Sequence, residues 1–113
     1  MNDVTMAALH SMLRGLSTRQ RTIADNLANL ETPGFTAKKV EFESSLKAAL
    51  EDGSGLAAPT TRASRNAPMP NGNNVSIEEE ILDLQETNLK YQLGIEAMTS
   101  KFNLLRSSMR STI

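Results

Sequence analysis

The sequence contains no cysteine, no tryptophan and one histidine, and aromatic residues make up only 4% of its 113 positions. Without cysteine there can be no disulfide, no thiol nucleophile and no cysteine-ligated metal. So few large rings do not suggest a thick globular core, whereas Leu, Ile, Met and Ala suit seams between helices. His10 has no second histidine or cysteine for company and is expected on the surface, as neither ligand nor base. Formal net charge is −1 at pH 7, which makes no case for nucleic acid. No apolar run approaches the length that spans a bilayer. The first residues show no basic cluster leading into an apolar stretch, so no cleavable signal peptide is expected. The protein is then cytoplasmic, or exported by a route that uses no such signal. Catalytic constellations are missing too. Gly53-Ser54-Gly55 lacks the lysine and following helix of a phosphate loop. Carboxylates cluster only at a helix start, with no pocket to work in. Neither an enzyme nor a cofactor, a metal site or a small-molecule substrate is expected.

What the chain does have is two long amphipathic patterns. The first runs Met6, Leu9, Leu13, Leu16, Gln20, Ile23, Leu27, Leu30, in steps alternating three and four, the spacing of a heptad seam. Gln20 is its one polar position. Gly15, beside the seam, weakens the helix by roughly 1 kcal/mol relative to alanine but permits close packing. Asn2, Asp3 and Thr5 are candidate N-caps, and Arg14, Arg19 and Arg21 are expected to form a solvated face. The second pattern opens on Ser76-Ile77-Glu78-Glu79, a capping box. It continues through Ile77, Ile81, Leu84, Asn88, Tyr91, Ile95, Met98, Phe102, Leu105 and Met109 to Thr112. Asn88 is its interior polar position, and Leu82, Leu89, Leu93 and Leu104 widen the stripe. Glu78, Glu79, Glu80, Asp83 and Glu86 crowd its start while Lys101, Arg106 and Arg110 sit near its end, as the helix dipole favours. Glu86 and Lys90 are spaced as an i, i+4 pair. The acidic run reads as a solvated helix start, because consecutive helical carboxylates point around the cylinder and do not converge on an ion.

Pro33 and Gly34 end the first pattern: proline lacks the N–H and glycine readily takes a positive φ. Val40 and Phe42 alternate with charged residues, as in a short strand. Ser44 or Ser45 then caps a brief helix through Leu46, Ala49 and Leu50. From Asp52 to Asn74 the composition is that of a mobile linker, with Pro59, Pro68, Pro70 and the Asn71-Gly72 turn. The fold expected is all-α: two long terminal helices in an antiparallel, coiled-coil-like pair, joined by a largely irregular linker with at most a short strand and a short helix. The chain forms one structural domain, with a helix and turn over 1–35, a linker over 36–75 and a long helix over 76–113. An antiparallel register that pairs Gln20 with Asn88 sets Leu27 beside Ile81, Ile23 level with Leu84, Leu16 with Tyr91, Leu13 with Ile95 and Leu9 with Met98. The end from Asn103 overhangs.

Around the break, Ala24-Asp25-Asn26-Leu27-Ala28-Asn29 followed by Thr32-Pro33-Gly34-Phe35 resembles the signature of the bacterial flagellar rod and hook proteins, Ala-Asn-Asn-Ile-Ala-Asn-x-x-Thr-Pro-Gly-Tyr. It departs conservatively at Asp25, Leu27 and Phe35. The Phe42 to Leu50 stretch extends the likeness. Asn74 to Glu80, Asn88 to Gly94 and Lys101 to Arg106 resemble the C-terminal part of proximal rod proteins, with Ser76 where that group more often has aspartate. The resemblance implies a structural subunit of the flagellar basal body, in the proximal rod within the periplasmic space, that helps transmit torque from motor to hook. It implies other copies of the chain, other flagellar rod proteins, and MS-ring or export-gate adaptor subunits as partners. It also implies export by the flagellar type III secretion apparatus. A generic coiled-coil oligomerisation or adaptor protein is the alternative that the seam spacing supports equally.

The middle of the chain supplies no core to bury two apolar stripes, so they must bury against each other and against neighbouring copies. Each fully buried Leu or Ile contributes roughly 1.5–3 kcal/mol, and one exposed seam buries too little to offset chain entropy along its whole length. Circular dichroism of the dilute, isolated subunit should therefore show much less helix than the two patterns allow. A sharp, cooperative melt of a fully helical monomer is the contrary result.

Overall fold

The computed structural model describes residues 3–111, which leaves the candidate cap Asn2 and the last seam position, Thr112, outside it. The chain runs α1 (Asp3–Ala28), β1 (Lys38–Glu41), α2 (Glu43–Glu51), β2 (Thr60–Ala63) and α3 (Ile77–Ser111). Helices α1 and α3 lie against each other in a body of 68 × 25 × 14 Å. The radius of gyration is 17.9 Å, against about 13 Å for a compact chain of this length. The molecule is therefore a thin rod, mostly helical, as the two stripes imply.

The pair is antiparallel. Asn26 bonds Glu80, Gln20 bonds Asn88, and Leu13 lies against Gly94, so positions descend along α1 as they rise along α3. Gln20 Nε2 donates to Asn88 Oδ1 at 2.8 Å. The contact sits at the rim of the seam, with Gln20 half-buried and Asn88 exposed. On α1, Leu16 and Ile23 are buried and Leu9, Leu13 and Leu27 half-buried.

Helix α3 is rolled away from the orientation its apolar stripe predicts. The face it turns inward carries Glu80, Thr87 and Gly94, all buried, with Leu84, Tyr91 and Met98 half-buried beside them. Ile81, Ile95, Phe102 and Leu105 stand on the flank, 43, 43, 51 and 39% exposed. Two contacts set the roll. A Cβ on Gly94 would meet Leu13 and Met12 at 2.8 Å, so the helices approach backbone to side chain there. At the other end, Asn26 and Lys39 draw the Glu80 carboxylate inward.

The apolar core is small. Leu16, Val40 and Phe42 are buried together, with Met12, Leu46 and Tyr91 packed on them. Gly15 makes the room: a Cβ there would fall 2.5 Å from the Phe42 ring. Phe42 itself, not Ser44 or Ser45, occupies the N-cap of α2 and offers no side-chain cap. The start of α2 is thus placed by packing. At the start of α3 the Glu79 N–H lies 3.4 Å from Ser76 Oγ, while the Glu79 carboxylate turns to Lys39 and Asn66. The Glu86–Lys90 pair forms at 2.8 Å, and His10 is exposed.

The segment expected to be irregular contains a second strand. β2 pairs antiparallel with β1, Lys38 opposite Ala63 and Glu41 opposite Thr60. Before it, Gly55 at φ +67° passes so close to α1 that a Cβ would lie 2.6 Å from the Val4 carbonyl. Ser11 Oγ fastens this crossing, donating to Gly55 O at 2.9 Å and accepting from Ala57 N at 3.1 Å. After it, Asn73, Asn74 and Val75 are buried. Gly53, Gly55 and Gly72 take positive φ here, and Gly72 N donates to Met69 O across the Pro70-Asn71 turn.

Replacing Gln20 and Asn88 together by leucine removes the hydrogen bond between them. The helix pair should hold or gain stability while the protein populates shifted or additional oligomers, as light scattering after size exclusion would show. Unchanged stability with an unchanged oligomer distribution is the contrary result.

Candidate assembly site at the α1 turn

The α1 pattern stops at a turn that cannot be continued past Pro33. In a continuing helix the N–H of residue 33 would bond the Asn29 carbonyl, but Pro33 has none. The helix closes after Ala28 in tight turns, with Leu30 N donating to Leu27 O and Thr32 N to Asn29 O. The carbonyls of Asn29 and Thr32, already accepting turn N–H groups from Thr32 and Phe35 respectively, both accept as well from Asn73 Nδ2, each at 2.8 Å. Gly34 takes φ +73°, and its N–H donates to Asn71 O at 2.9 Å. Asn73 Oδ1 in turn accepts from Val75 N at 2.8 Å. One fully buried carboxamide thereby joins the turn after α1 to the chain just before α3.

A second carboxamide secures the strand. Asn26 has 0% exposure. Its Nδ2 donates to Lys38 O at 2.8 Å and its Oδ1 accepts from Lys38 N at 3.0 Å. Asn26 thus serves the inner edge of β1 as a neighbouring strand would, which removes the exposed-edge problem on that side. The same Nδ2 reaches Glu80 Oε1 at 3.0 Å. Asn74 completes the set: Oδ1 accepts from Ala37 N at 2.7 Å, and Nδ2 donates to Ser64 and Asn66 carbonyls at 3.3 and 3.2 Å.

Charged groups brace this frame. Lys39 Nζ lies 2.7, 3.1 and 3.2 Å from carboxylate oxygens of Glu79, Glu80 and Asp83. Burial opposes its charge, but hydrogen bonds to Glu79 and Glu80 prevail and raise its pKa. Those from Lys39 and Asn66 lower that of Glu79. Glu80 is only 1% exposed, and its Oε2 has no protein partner. Arg19 grips both oxygens of Glu43 at 2.7 and 2.8 Å, donates to Val40 O, and lies 4.8 Å from the Phe42 ring centre. Its hydrogen bonds hold the Glu43 carboxyl at about 2, well below the ordinary 4.5. Arg19 and Glu80 therefore correct the expectation of solvated charge: each is drawn in by a partner on another element.

The turn residues divide by direction. Asn26 faces inward, and Asn29 and Thr32 engage through their carbonyls. Leu27 and Phe35 are half-buried. Ala24, Asp25, Ala28, Thr32, Pro33 and Gly34 are exposed. The sequence reading missed Asn73, Asn74, Lys39, Arg19 and Glu80. A trace existed in Asn71-Gly72, which announces a turn beside the two asparagines. A cleft of about 400 Å³ between α1, β1 and α3 is walled by ion pairs such as Arg19–Glu43 and Lys39–Asp83. Among the described residues, no group of three or more His, Asp or Glu is placed to hold a metal ion, and no helix is long and apolar enough to cross a membrane.

A thin antiparallel helix pair with an amide-clamped turn and exposed apolar flanks defines a helical, structural type of protein. The comparisons agree. The family model described as flagella basal body rod protein matches residues 12–36, from mid-α1 through the turn. The chain is 31% identical over 110 residues to the flagellar basal body rod protein FlgB of Aeromonas hydrophila, covering 83% of each chain. It is 29% identical over 120 residues to FlgB of Bacillus subtilis, covering 91% of each. With FlgB of Borreliella burgdorferi it shares 33% over 107 residues, covering 74% of this chain and 79% of the relative. The chain belongs to the FlgB family of flagellar basal body rod proteins, structural subunits of the rod.

Asn26→Ala strands the Lys38 N–H and C=O, and a buried polar group left unpaired costs about 1–3 kcal/mol. The variant should lose about 3 kcal/mol of stability in a urea titration of the helical signal. A loss below about 0.5 kcal/mol, the usual range for an unimportant surface change, would contradict the edge-partner role.

Proposed function

We propose that the chain is a proximal rod subunit in which the turn acts as a stiff corner and the helix pair is completed by neighbouring copies. The observation that carries this is the roll of α3. It leaves Ile81, Leu82, Leu89, Leu93 and Ile95 between 43 and 65% exposed along a helix whose inner face is already filled. Apolar flanks on both sides of a filled seam suit lateral packing, and contacts that repeat without closing build a helical filament. In that filament the rod carries torque from motor to hook. The partners are other copies, other flagellar rod proteins, and adaptor subunits at the MS-ring and export gate. Delivery to the periplasmic rod is through the flagellar type III secretion apparatus. We infer no catalytic, cofactor-dependent or nucleic-acid-binding role. The three segments, 1–35, 36–75 and 76–113, act as one unit: Asn26 ties the first to the other two through Lys38 and Glu80, and Asn73 ties the second back to the first through Asn29. Family membership and the exposed flanks together favour this reading over a generic coiled-coil adaptor.

Electron microscopy of purified basal bodies tests it by asking whether the chain lies in the proximal rod. In cells, replacing Pro33 and Gly34 together by alanine restores the N–H at residue 33 and competes with Asn73 for the Asn29 carbonyl. Helix α1 should run on and misdirect the segment from Phe35. Swimming should be lost while the protein is still made, and wild-type swimming by the double variant would show that the break is dispensable.

A further inference from the structure

The closed turn between Met69 and Asn73 has a reactive sequence inside it. Asn71-Gly72 is the one place in the chain where an asparagine precedes a glycine. With no side chain on the next residue, nothing hinders the asparagine carboxamide from meeting the following backbone nitrogen. Both residues are exposed to water. Asn73 and Asn74, the next two in sequence, are buried, and each precedes a residue with a side chain.

The fold holds each group that would react. The Gly72 N–H donates to Met69 O at 2.7 Å. Asn71 Oδ1 accepts from Asn73 N at 3.0 Å, a side-chain turn that fixes the carboxamide. The Asn71 backbone carbonyl accepts from Gly34 N at 2.9 Å, and Met69 N closes the turn by donating to Asn73 O at 2.8 Å. Gly72 also lies against the turn after α1, where a Cβ on it would fall 3.2 Å from Gly34 Cα. For the Gly72 nitrogen to reach Asn71 Cγ, it must give up the proton it now shares with Met69 O. The carboxamide must also rotate off Asn73 N. Both require the turn to open.

We propose that Asn71 is a site of spontaneous covalent modification that the fold keeps shut, and that its modification releases the clamp on α1. The Gly72 nitrogen attacks Asn71 Cγ. The N–Cγ bond forms, the Cγ–Nδ2 bond breaks, and Nδ2 leaves as ammonia with the Gly72 amide proton. Water then opens the cyclic imide. Breaking the N–Cγ bond yields aspartate in an unchanged main chain. Breaking the bond from that nitrogen to the Asn71 backbone carbonyl carbon yields isoaspartate, with the main chain routed through Cβ and Cγ. Nothing is oxidised or reduced, and water is the only co-reactant. The two products differ in effect. Aspartate still presents an oxygen to Asn73 N. Isoaspartate lengthens the main chain just ahead of Asn73 by one carbon, about 1.5 Å. Asn73 Nδ2 sits 2.8 Å from the Asn29 and Thr32 carbonyls, so a displacement of that size takes it out of hydrogen-bond range. The inference stands on the turn alone and is independent of what the chain assembles with.

The test incubates purified full-length protein at mildly alkaline pH, in native buffer and in urea. Peptides are read by mass spectrometry, and enzymatic methylation reveals isoaspartate. In urea, residue 71 should convert before any other asparagine. In native buffer the same conversion should run about tenfold slower or more, since only molecules with the turn open react. Gly72→Ala, assayed in urea where folding is immaterial, should slow the step several-fold. The modified fraction should unfold at lower urea than Asn71→Asp, which carries the same charge on an unchanged main chain. Conversion at another asparagine first, or an undiminished rate in Gly72→Ala, would overturn the assignment of the site. Equal rates in native buffer and urea would overturn the protection by the fold. A modified fraction as stable as Asn71→Asp would overturn the link to the clamp.

Discussion

The structure depends on how the last carbonyls of α1 and its turn are taken up. A helix interior is self-satisfying, but its last carbonyls are not, and Pro33 can offer a donor to none of them. In a thick protein such groups face water or are covered by a core. Here the fully buried Asn73 takes the Asn29 and Thr32 carbonyls from the far end of the linker. That choice fixes where α3 can begin, since Asn73 and Val75 lie just ahead of it. It also fixes where β1 lies, since Asn74 and Asn26 hold Ala37 and Lys38. A chain with few aromatic rings has used three buried carboxamides where larger domains use apolar bulk.

The same economy explains the seam. Two bare leucine stripes pack adequately in several registers and orientations. This pair contains Glu80 against Asn26 and Lys39, Gly94 against Leu13 and Met12, and Gln20 against Asn88. Glu80 and Gly94, both buried, are tolerated in one alignment only. Their cost is that much of the apolar stripe of α3 is turned outward. In a monomeric enzyme that would be a liability; in a subunit of a larger assembly it is the material of the next contact.

Sequence pattern revealed the two helices, their antiparallel register through Gln20 and Asn88, the break at Pro33 and the short strand at Val40. These are local or follow a simple period. The roll of α3 was not legible, because heptad spacing ranks Ile81 and Ile95 above Thr87 and Gly94, and only the partner surface reverses that order. Arg19 and Glu80 were hidden for the same reason: a charged residue on a helix reads as solvated until a partner from another element appears. Strand β2 was hidden because Thr60 to Ala63 is fully exposed and carries no alternating apolar signal. Asn73 and Asn74 sit in a run whose composition suggests a loop, and it is one; composition does not disclose that its amides are buried.

The antiparallel register has a mechanical side. The beginning of α1 and the end of α3 lie at one end of the rod, and the amide-clamped turn lies near the other. Tension that draws those two ends apart loads the helix–helix contacts one after another instead of all at once, so the pair opens as a zipper, from the thinly packed end toward the clamp. The last contacts to yield are the small apolar cluster around Phe42 and then the asparagine network.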